Sequence, residues 1–173
     1  MRARAFVASS SIERDTDIGT QDARILVDAD ACPVRDEIVT VARRHDLGVI
    51  FVANRGLRPS RDPAIRNVTV GGGFDAADDW IAGEARPGDI VVTADIPLVS
   101  RCVAAGALAV SPLGRIYAPE NVGVARAMRD LNQALRESGA ITGQNAPFAR
   151  ADRSRFLQAL EQAVRRAKAA DRS

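Results

Sequence analysis

The stretch Ile25-Leu26-Val27-Asp28-Ala29-Asp30-Ala31-Cys32-Pro33 decides the fold. Its first three residues predict a short buried strand, because they are branched and apolar and the run is too short for a helix. Asp28 and Asp30 follow, and residues two apart in an extended chain point the same way, so both carboxylates can converge. Pro33 suits the first position of a helix, where a missing N–H costs nothing. Two acids therefore stand at the carboxyl end of a strand, the ligand-binding edge of an open α/β sheet.

The composition excludes several classes of protein. The chain has 173 residues, 46% apolar and 27% charged, as in an ordinary globular protein. It contains no apolar run long enough for a membrane span and no secretory signal pattern, so we predict a cytoplasmic protein. The net charge of +2 falls short of the strongly basic balance of many nucleic-acid-binding proteins. Two distant cysteines and one histidine provide no paired spacing for a zinc site.

Short apolar runs alternate with helical patterns along the chain. Strands are predicted over residues 25–27, 49–53, 68–70, 90–93 and 107–110. Helices are predicted from Pro33 to Gly48, from a cap at Asp75 to Pro87, and over 97–105, 124–135 and 152–169. The order predicts an α/β, Rossmann-like three-layer domain with a mostly parallel central sheet of about five strands and C-terminal helices.

The segments between and beyond these elements complete the predicted organisation. Residues 1–22 are polar and aperiodic and are predicted to be a disordered leader, and residues 23–170 a single domain. Residues 111–121 contain proline and glycine and are predicted to form a loop. In the helix over 124–135, Met128, Leu131 and Leu135 share one face, which predicts an amphipathic helix.

Three segments bring acidic residues to strand ends or helix starts, namely Asp28 with Asp30, Asp75 with Asp78 and Asp79, and Asp95. If the first and fourth strands are neighbours, Asp28 and Asp95 flank the crevice at which the strand order reverses. Carboxylates in one crevice repel each other, and a divalent cation removes that repulsion. Oxygen ligands favour Mg²⁺ or Mn²⁺, which can activate water for attack on a phosphoryl group. The alternative is that Asp75 serves only as a helix cap and Asp79 faces solvent.

Other chemistries fit the residues less well. Phosphatases of the haloacid-dehalogenase type also begin with Asp-x-Asp after a strand, but Cys32 stands where they usually have threonine or valine. They also need a lysine in the site, and Lys168 lies on the last predicted helix. A Walker loop is excluded because no Gly-Lys-Ser/Thr occurs. Position 38 is Ile38 and not arginine, so no cysteine-phosphatase loop is formed, and we interpret Cys32 as a small residue capping the helix.

Several ordered motifs resemble those of the bacterial YaiI/YqxD family. They are Val-Asp-Ala-Asp-Ala-Cys-Pro (27–33), Phe-Val-Ala-Asn (51–54), Gly-Phe-Asp-Ala-Ala-Asp (73–78), Val-Thr-Ala-Asp-Ile-Pro-Leu (92–98), Gly-Arg-Ile-Tyr (114–117), Met-Arg-Asp (128–130), Thr-Gly (142–143) and Asp-Arg (152–153). The resemblance extends from about Arg24 to Val164. One departure is Ser-Pro-Leu-Gly at 111–114, where relatives often have Asn/Asp-Pro-Arg-Gly.

The resemblance implies a PIN-like domain, in which acidic residues at the carboxyl ends of central strands hold Mg²⁺ or Mn²⁺ for phosphodiester hydrolysis. Carried over residue by residue, the implied catalytic and metal-binding residues are Asp28, Asp30, Asp78 and Asp95, with Asp75 as a further metal ligand.

Cations near the acids are predicted to contact the substrate. Asn54, Arg55 and Arg58 follow the second strand, and Arg115 and Arg153 are further candidates. Such a group holds a nucleic-acid backbone by charge without reading its sequence. We therefore predict a metal-dependent nuclease or phosphodiesterase acting on RNA. The alternatives are a non-catalytic nucleic-acid-binding module with a vestigial acidic site, and a small-molecule phosphohydrolase.

Overall fold

The computed structural model describes residues 23–30, 32–143 and 146–173, and the predicted leader 1–22 lies outside them. The described strands are β1 Arg24–Asp28, β2 Gly48–Ala53, β3 Ile65–Thr69, β4 Ile90–Val92, β5 Leu108–Val110 and β6 Ile116–Tyr117. The described helices are α1 Arg35–His45, α2 Ala76–Glu84, α3 Ile96–Ala104, α4 Val122–Glu137 and α5 Arg150–Asp171. They form one sheet with the strand order β3-β2-β1-β4-β5-β6, which confirms the α/β class.

The sheet lies between two helical layers. Ile25 and Val27 of β1 point into a core shared with α1 and α5, whereas Leu26 points into a second core shared with α2 and α3. The alternation follows from the period of two along a strand. Because helices cover both faces, residues 25–27 of β1 are apolar without interruption. The three-layer, Rossmann-like prediction is therefore confirmed.

The strand order reverses at β1. This strand pairs in parallel with β2 on one side and with β4 on the other, so the condition under which Asp28 and Asp95 flank one crevice is met. In a sheet of this kind, the crevice beyond the carboxyl ends of those two strands is the usual ligand-binding position. The residues after Asp28 and Val92 therefore lie where a ligand usually binds in a fold of this kind.

The predicted loop over 111–121 contains a short sixth strand, which adds to the five strands predicted from the sequence. A tight turn after β5 returns the chain as β6, which runs antiparallel to β5. The Ser111 N–H donates to the Arg115 carbonyl oxygen at 2.8 Å, and Gly114 takes a φ of 85°. Gly114 also lies against α5, where a Cβ would come 2.7 Å from the Arg155 carbonyl carbon. A strand of two residues is too short to show a periodic pattern.

Both predicted ends of α1 are wrong. The helix begins at Arg35 with Val34 as its N-cap residue, so Pro33 precedes the helix and Cys32 does not cap it. At the other end Asp46, with a φ of 59°, ends the helix, and Gly48 begins β2. Aspartate is among the residues that tolerate this left-handed conformation, so glycine is not needed there.

Helix α4 is amphipathic as predicted, but its apolar face is exposed. Val124, Met128 and Leu131 are 68%, 48% and 51% exposed, and none of the residues of α4 is fully buried. Val122 and Ala125 pack against the core on the α2–α3 side of the sheet. Among the described residues, no helix is both long enough and apolar enough to cross a bilayer.

Candidate metal centre

Asp28 and Asp95 are joined by the hydroxyl group of Thr93. Asp28 ends β1, and the chain leaves β4 through buried Thr93. The Thr93 Oγ1 donates to Asp28 Oδ2 at 3.2 Å and accepts the N–H of Asp95 at 3.1 Å. Because both bonds depend on one hydroxyl group, Thr93 fixes the two acidic segments relative to each other across the β1–β4 crevice.

Asp95 also caps α3. Its Oδ2 accepts the N–H of Leu98 at 2.9 Å, which satisfies one of the free backbone donors of the first turn. The bond orients the carboxylate and uses one of its two oxygens. Within the described part of the chain, the hydrogen bonds of Asp95 leave Oδ1 available for a cation.

Asp78 has the most perturbed carboxylate of the cluster. Partial burial is the main reason that its pKa is raised to about 6, and the charges of Asp95, Asp28 and Asp75 raise it further. Arg101 acts in the opposite direction. Side chains from β1, α2 and the start of α3 are therefore close enough to repel one another. Asp75 is exposed and occupies the N-cap position of α2, but its side chain makes no capping hydrogen bond, contrary to the capping prediction.

Asp28 and Asp30 differ in burial and in their hydrogen-bond partners. Burial raises the pKa of Asp28, and the charges of Asp30 and Asp95 add to this effect, while the Thr93 hydroxyl and the Asp30 backbone lower it. Asp30 is exposed, and its Oδ2 accepts the N–H of Asn54 at 2.9 Å. The Asp30 carboxylate therefore contacts the chain just after β2, whereas the Asp28 carboxylate contacts Thr93 just after β4.

These residues fit a hard divalent cation by their donor chemistry. All are carboxylates, and their mutual repulsion is the kind that Mg²⁺ or Mn²⁺ relieves. In the described ranges, no group of three or more acidic, histidine or cysteine side chains is placed so that it could hold a metal ion by itself. Mg²⁺ keeps several of its waters and is usually held by only one or two carboxylates plus substrate oxygens. A cation at this position would therefore be held by one or two of these carboxylates, and waters and ligand oxygens would complete its coordination.

Removing the charge of Asp78 is expected to stabilise the metal-free protein. Since its pKa is 3.8 in the unfolded chain and about 6 in the folded one, ionisation weakens folding as the pH rises between those values. Asp78→Asn should raise the free energy of unfolding at pH 7.5 by about 1 kcal/mol, after a discount for solvent screening. At pH 4 most of that gain should be lost. Thermal melts in EDTA at both pH values measure it.

Asp79→Asn is the matched control for this experiment. Asp79 is exposed on the same helix, and its Oδ1 accepts a hydrogen bond from Arg101 at 2.8 Å. The control variant should not become more stable at pH 7.5. A gain for Asp78→Asn that is equally large at pH 4 would contradict the electrostatic origin.

The predicted substrate-binding residues fall into two groups. Arg55, Arg58 and Arg115 are exposed at their side chains, and Arg55 directly follows Asn54, which is bonded to Asp30. Arg153 is engaged elsewhere, because it donates to the Pro33 carbonyl oxygen at 2.8 Å and to Glu37 at 2.9 Å. Arg153 therefore ties α5 to the start of α1, while the first group remains open to an anionic ligand.

Sequence reasoning gave no role to three residues that the structure brings to this site. Thr93 lies between the acids, Arg101 faces α2, and Phe74 is 96% exposed beside the cluster. The only signal for Thr93 was a hydroxyl residue two positions before an aspartate at a strand end. Arg101 follows that aspartate by six residues on an ordinary helix and gave no signal.

Comparisons with known proteins agree with the resemblance in the sequence. The family model described as "Uncharacterized BCR, YaiI/YqxD family" matches residues 26–166. A UPF0178 protein of Agrobacterium fabrum is 60% identical over 148 residues, covering 86% of this chain and 97% of the relative. A UPF0178 protein of Rhizobium meliloti is 61% identical over 144 residues, covering 83% and 99%. No solved structure matches the chain. The chain therefore belongs to the YaiI/YqxD family.

Proposed function

We propose that the protein is a divalent-metal-dependent nuclease that hydrolyses phosphodiester bonds in RNA. The observation that carries the proposal is the meeting of Asp28, Asp78 and Asp95 at the strand-order reversal, with a pKa of about 6 for Asp78. Perturbed acids that come from separate elements and share a crevice are typical of functional sites. The PIN-like fold implied by the family resemblance supports the same chemistry.

The acidic residues and Thr93 would have different roles in binding a cation. One or two of Asp28, Asp78 and Asp95 would bind the cation directly and the others would bind its waters. Asp30 and Asp75 would lie further out, and Thr93 would hold Asp28 and Asp95 in position. When bound, Mg²⁺ or Mn²⁺ supplies charge neutralisation at the phosphate and activates the attacking water.

A polymer backbone suits this site better than a small phosphate ester. Two cavities of the described residues are lined by none of these carboxylates: one lies between α1 and α5, and the other lies beside α3 and α4 and includes Arg101. Small-molecule sites are usually enclosed clefts, whereas the carboxylates here border a loop with exposed Arg55 and Arg58. Such cations can bind phosphates on either side of the one being hydrolysed.

The test is to incubate the purified protein with mixed-sequence RNA in Mn²⁺, in Mg²⁺ and in EDTA, beside a panel of small phosphate esters. We expect RNA to be shortened only in the presence of a divalent metal. We also expect 1 mM Mn²⁺ to raise the melting temperature by roughly 5 °C, because the cation binds only the folded chain.

Three other results would overturn the proposal. Phosphate release from esters without RNA cleavage would indicate a small-molecule phosphohydrolase. Salt-sensitive RNA binding without cleavage would indicate a binding module with a vestigial acidic site. An unchanged melting temperature in Mn²⁺ would argue against any cation site at the carboxylates.

A further inference from the structure

Phe74 is the most exposed large apolar residue in the described part of the chain. Its side chain is 96% exposed, against 68% for Val124 and 60% for Leu113. The residue directly follows Gly72 and Gly73, whose φ angles are 109° and 139°. These are backbone conformations that glycine adopts readily and other residues rarely do. The backbone of this loop therefore turns the ring out of the fold, where packing gives it no stabilisation.

The exposed ring stands at the edge of the acidic cluster. Phe74 precedes Asp75 in the chain, and its carbonyl oxygen lies 3.5 Å from Asn54 Nδ2, a long hydrogen bond. The backbone N–H of the same Asn54 donates to Asp30 at 2.9 Å. Asn54 thus links the glycine loop to the carboxyl end of β1 and is followed by exposed Arg55. Acidic side chains, Arg55 and the exposed ring of Phe74 therefore lie along the same edge of the sheet.

This combination identifies the chemistry of the partner. Proteins that bind single-stranded nucleic acid without sequence preference pair cations along the backbone with aromatic rings on which bases stack. In a duplex the base faces are already covered by neighbouring base pairs, whereas unpaired bases in single strands and loops are free to stack on side chains. A phenyl ring offers no hydrogen bond with which to read one base over another.

We propose that Phe74 stacks on an unpaired base beside the phosphate that is held at the carboxylates, and that the substrate is single-stranded RNA. The inference rests on the proposed function for the placement of that phosphate. The inference adds single-stranded RNA as the substrate class and Phe74 as a positioning residue, neither of which the acidic residues indicate.

Binding can be measured apart from cleavage. The Kd of a fluorescently labelled single-stranded 12-nucleotide RNA, and of a duplex of the same length, is determined by anisotropy in EDTA. Phe74→Ala should weaken binding of the single strand about 10-fold or more, the loss expected for one base stack, and leave duplex binding unchanged. Phe74→Trp should restore or strengthen single-strand binding. Met128→Ala, which removes another exposed apolar side chain, should change neither value.

The outcomes separate this inference from the proposed function. Unchanged single-strand binding by Phe74→Ala, in a protein that still cleaves RNA, would overturn the stacking role and leave the nuclease intact. Single-strand binding that is weakened in Phe74→Ala and restored in Phe74→Trp would support stacking. If the unmodified protein also fails to cleave RNA, the nuclease proposal would be overturned. Equal weakening of duplex and single strand would contradict the single-strand preference. No RNA binding by the unmodified protein in either EDTA or Mn²⁺, together with no cleavage, would overturn both.

Discussion

Asp28→Asn combined with Asp95→Asn is expected to reduce Mn²⁺-dependent RNA cleavage by roughly three orders of magnitude or more. The Thr93 hydroxyl links the Asp28 carboxylate to the backbone N–H of Asp95, and the substitutions remove two negative charges from the cluster. A loss of this size corresponds to about 4 kcal/mol of transition-state stabilisation, which is within the range that a bound metal supplies.

The fold should survive both substitutions. Asparagine keeps the shape and the acceptor oxygen of each side chain, and it is as good an N-cap as aspartate, so the bond from Leu98 can persist. The variant should also lose the rise in melting temperature that Mn²⁺ gives to the unmodified protein. Asp130→Asn on α4, an exposed acid paired with Arg129, is the control and should retain both cleavage and metal-linked stabilisation.

Cleavage by the double variant at the rate of the unmodified protein would point to a contaminating ribonuclease or to a site elsewhere. The comparison is therefore made on proteins purified in parallel. Activity that survives in both variants but disappears in EDTA would contradict the assignment of these two aspartates.

Gly114→Ala is expected to lower the free energy of unfolding by about 3 kcal/mol. The φ of 85° at this position is strained for any residue with a side chain, and the new Cβ would lie 2.7 Å from the Arg155 carbonyl carbon and 2.8 Å from its oxygen. Left-handed strain costs about 1–2 kcal/mol, and overpacking typically costs about 1–3 kcal/mol. Because both atoms of Arg155 belong to the backbone of α5, they cannot rotate away.

Thermal and urea denaturation measure this loss, which should lower the melting temperature by roughly 10 °C. Gly139→Ala separates the two causes, because Gly139 has a φ of 73° but no atom within 4 Å of an added Cβ. That variant should lose only about 1 kcal/mol. Equal losses at the two positions would show that the contact with α5 contributes nothing to the cost at Gly114.

The sheet could be predicted from the sequence because parallel strands are buried on both faces. Ile25-Leu26-Val27 and Ile90-Val91-Val92 are uninterrupted apolar runs for this reason, and each is followed by acids. Helical spacing and glycine or proline residues located the connections between them. The sequence left open whether β1 and β4 are neighbours, and the usual topology of such folds made that arrangement the one to consider.

The detailed arrangement of the acids could not be predicted, because it depends on hydrogen bonds between distant segments. Asp30 is bonded to the Asn54 N–H only because β2 lies beside β1, and Thr93 reaches Asp28 only because β4 lies on the other side. Local spacing therefore treated Asp30 as a partner of Asp28 in one extended strand. Phe74 gave no signal either, since an apolar residue near a helix start predicts burial.

The loose attachment of α4 implies an uneven distribution of local stability. A helix of 16 residues with none fully buried has little free energy opposing its separate opening, whereas β1 lies at the centre of the sheet with its apolar residues completely enclosed. Backbone amide protons of α4 should therefore exchange with solvent through a local opening that leaves the sheet intact. Those of β1 should exchange only when the whole molecule unfolds, so the carboxylates remain assembled while the outer helix opens and closes.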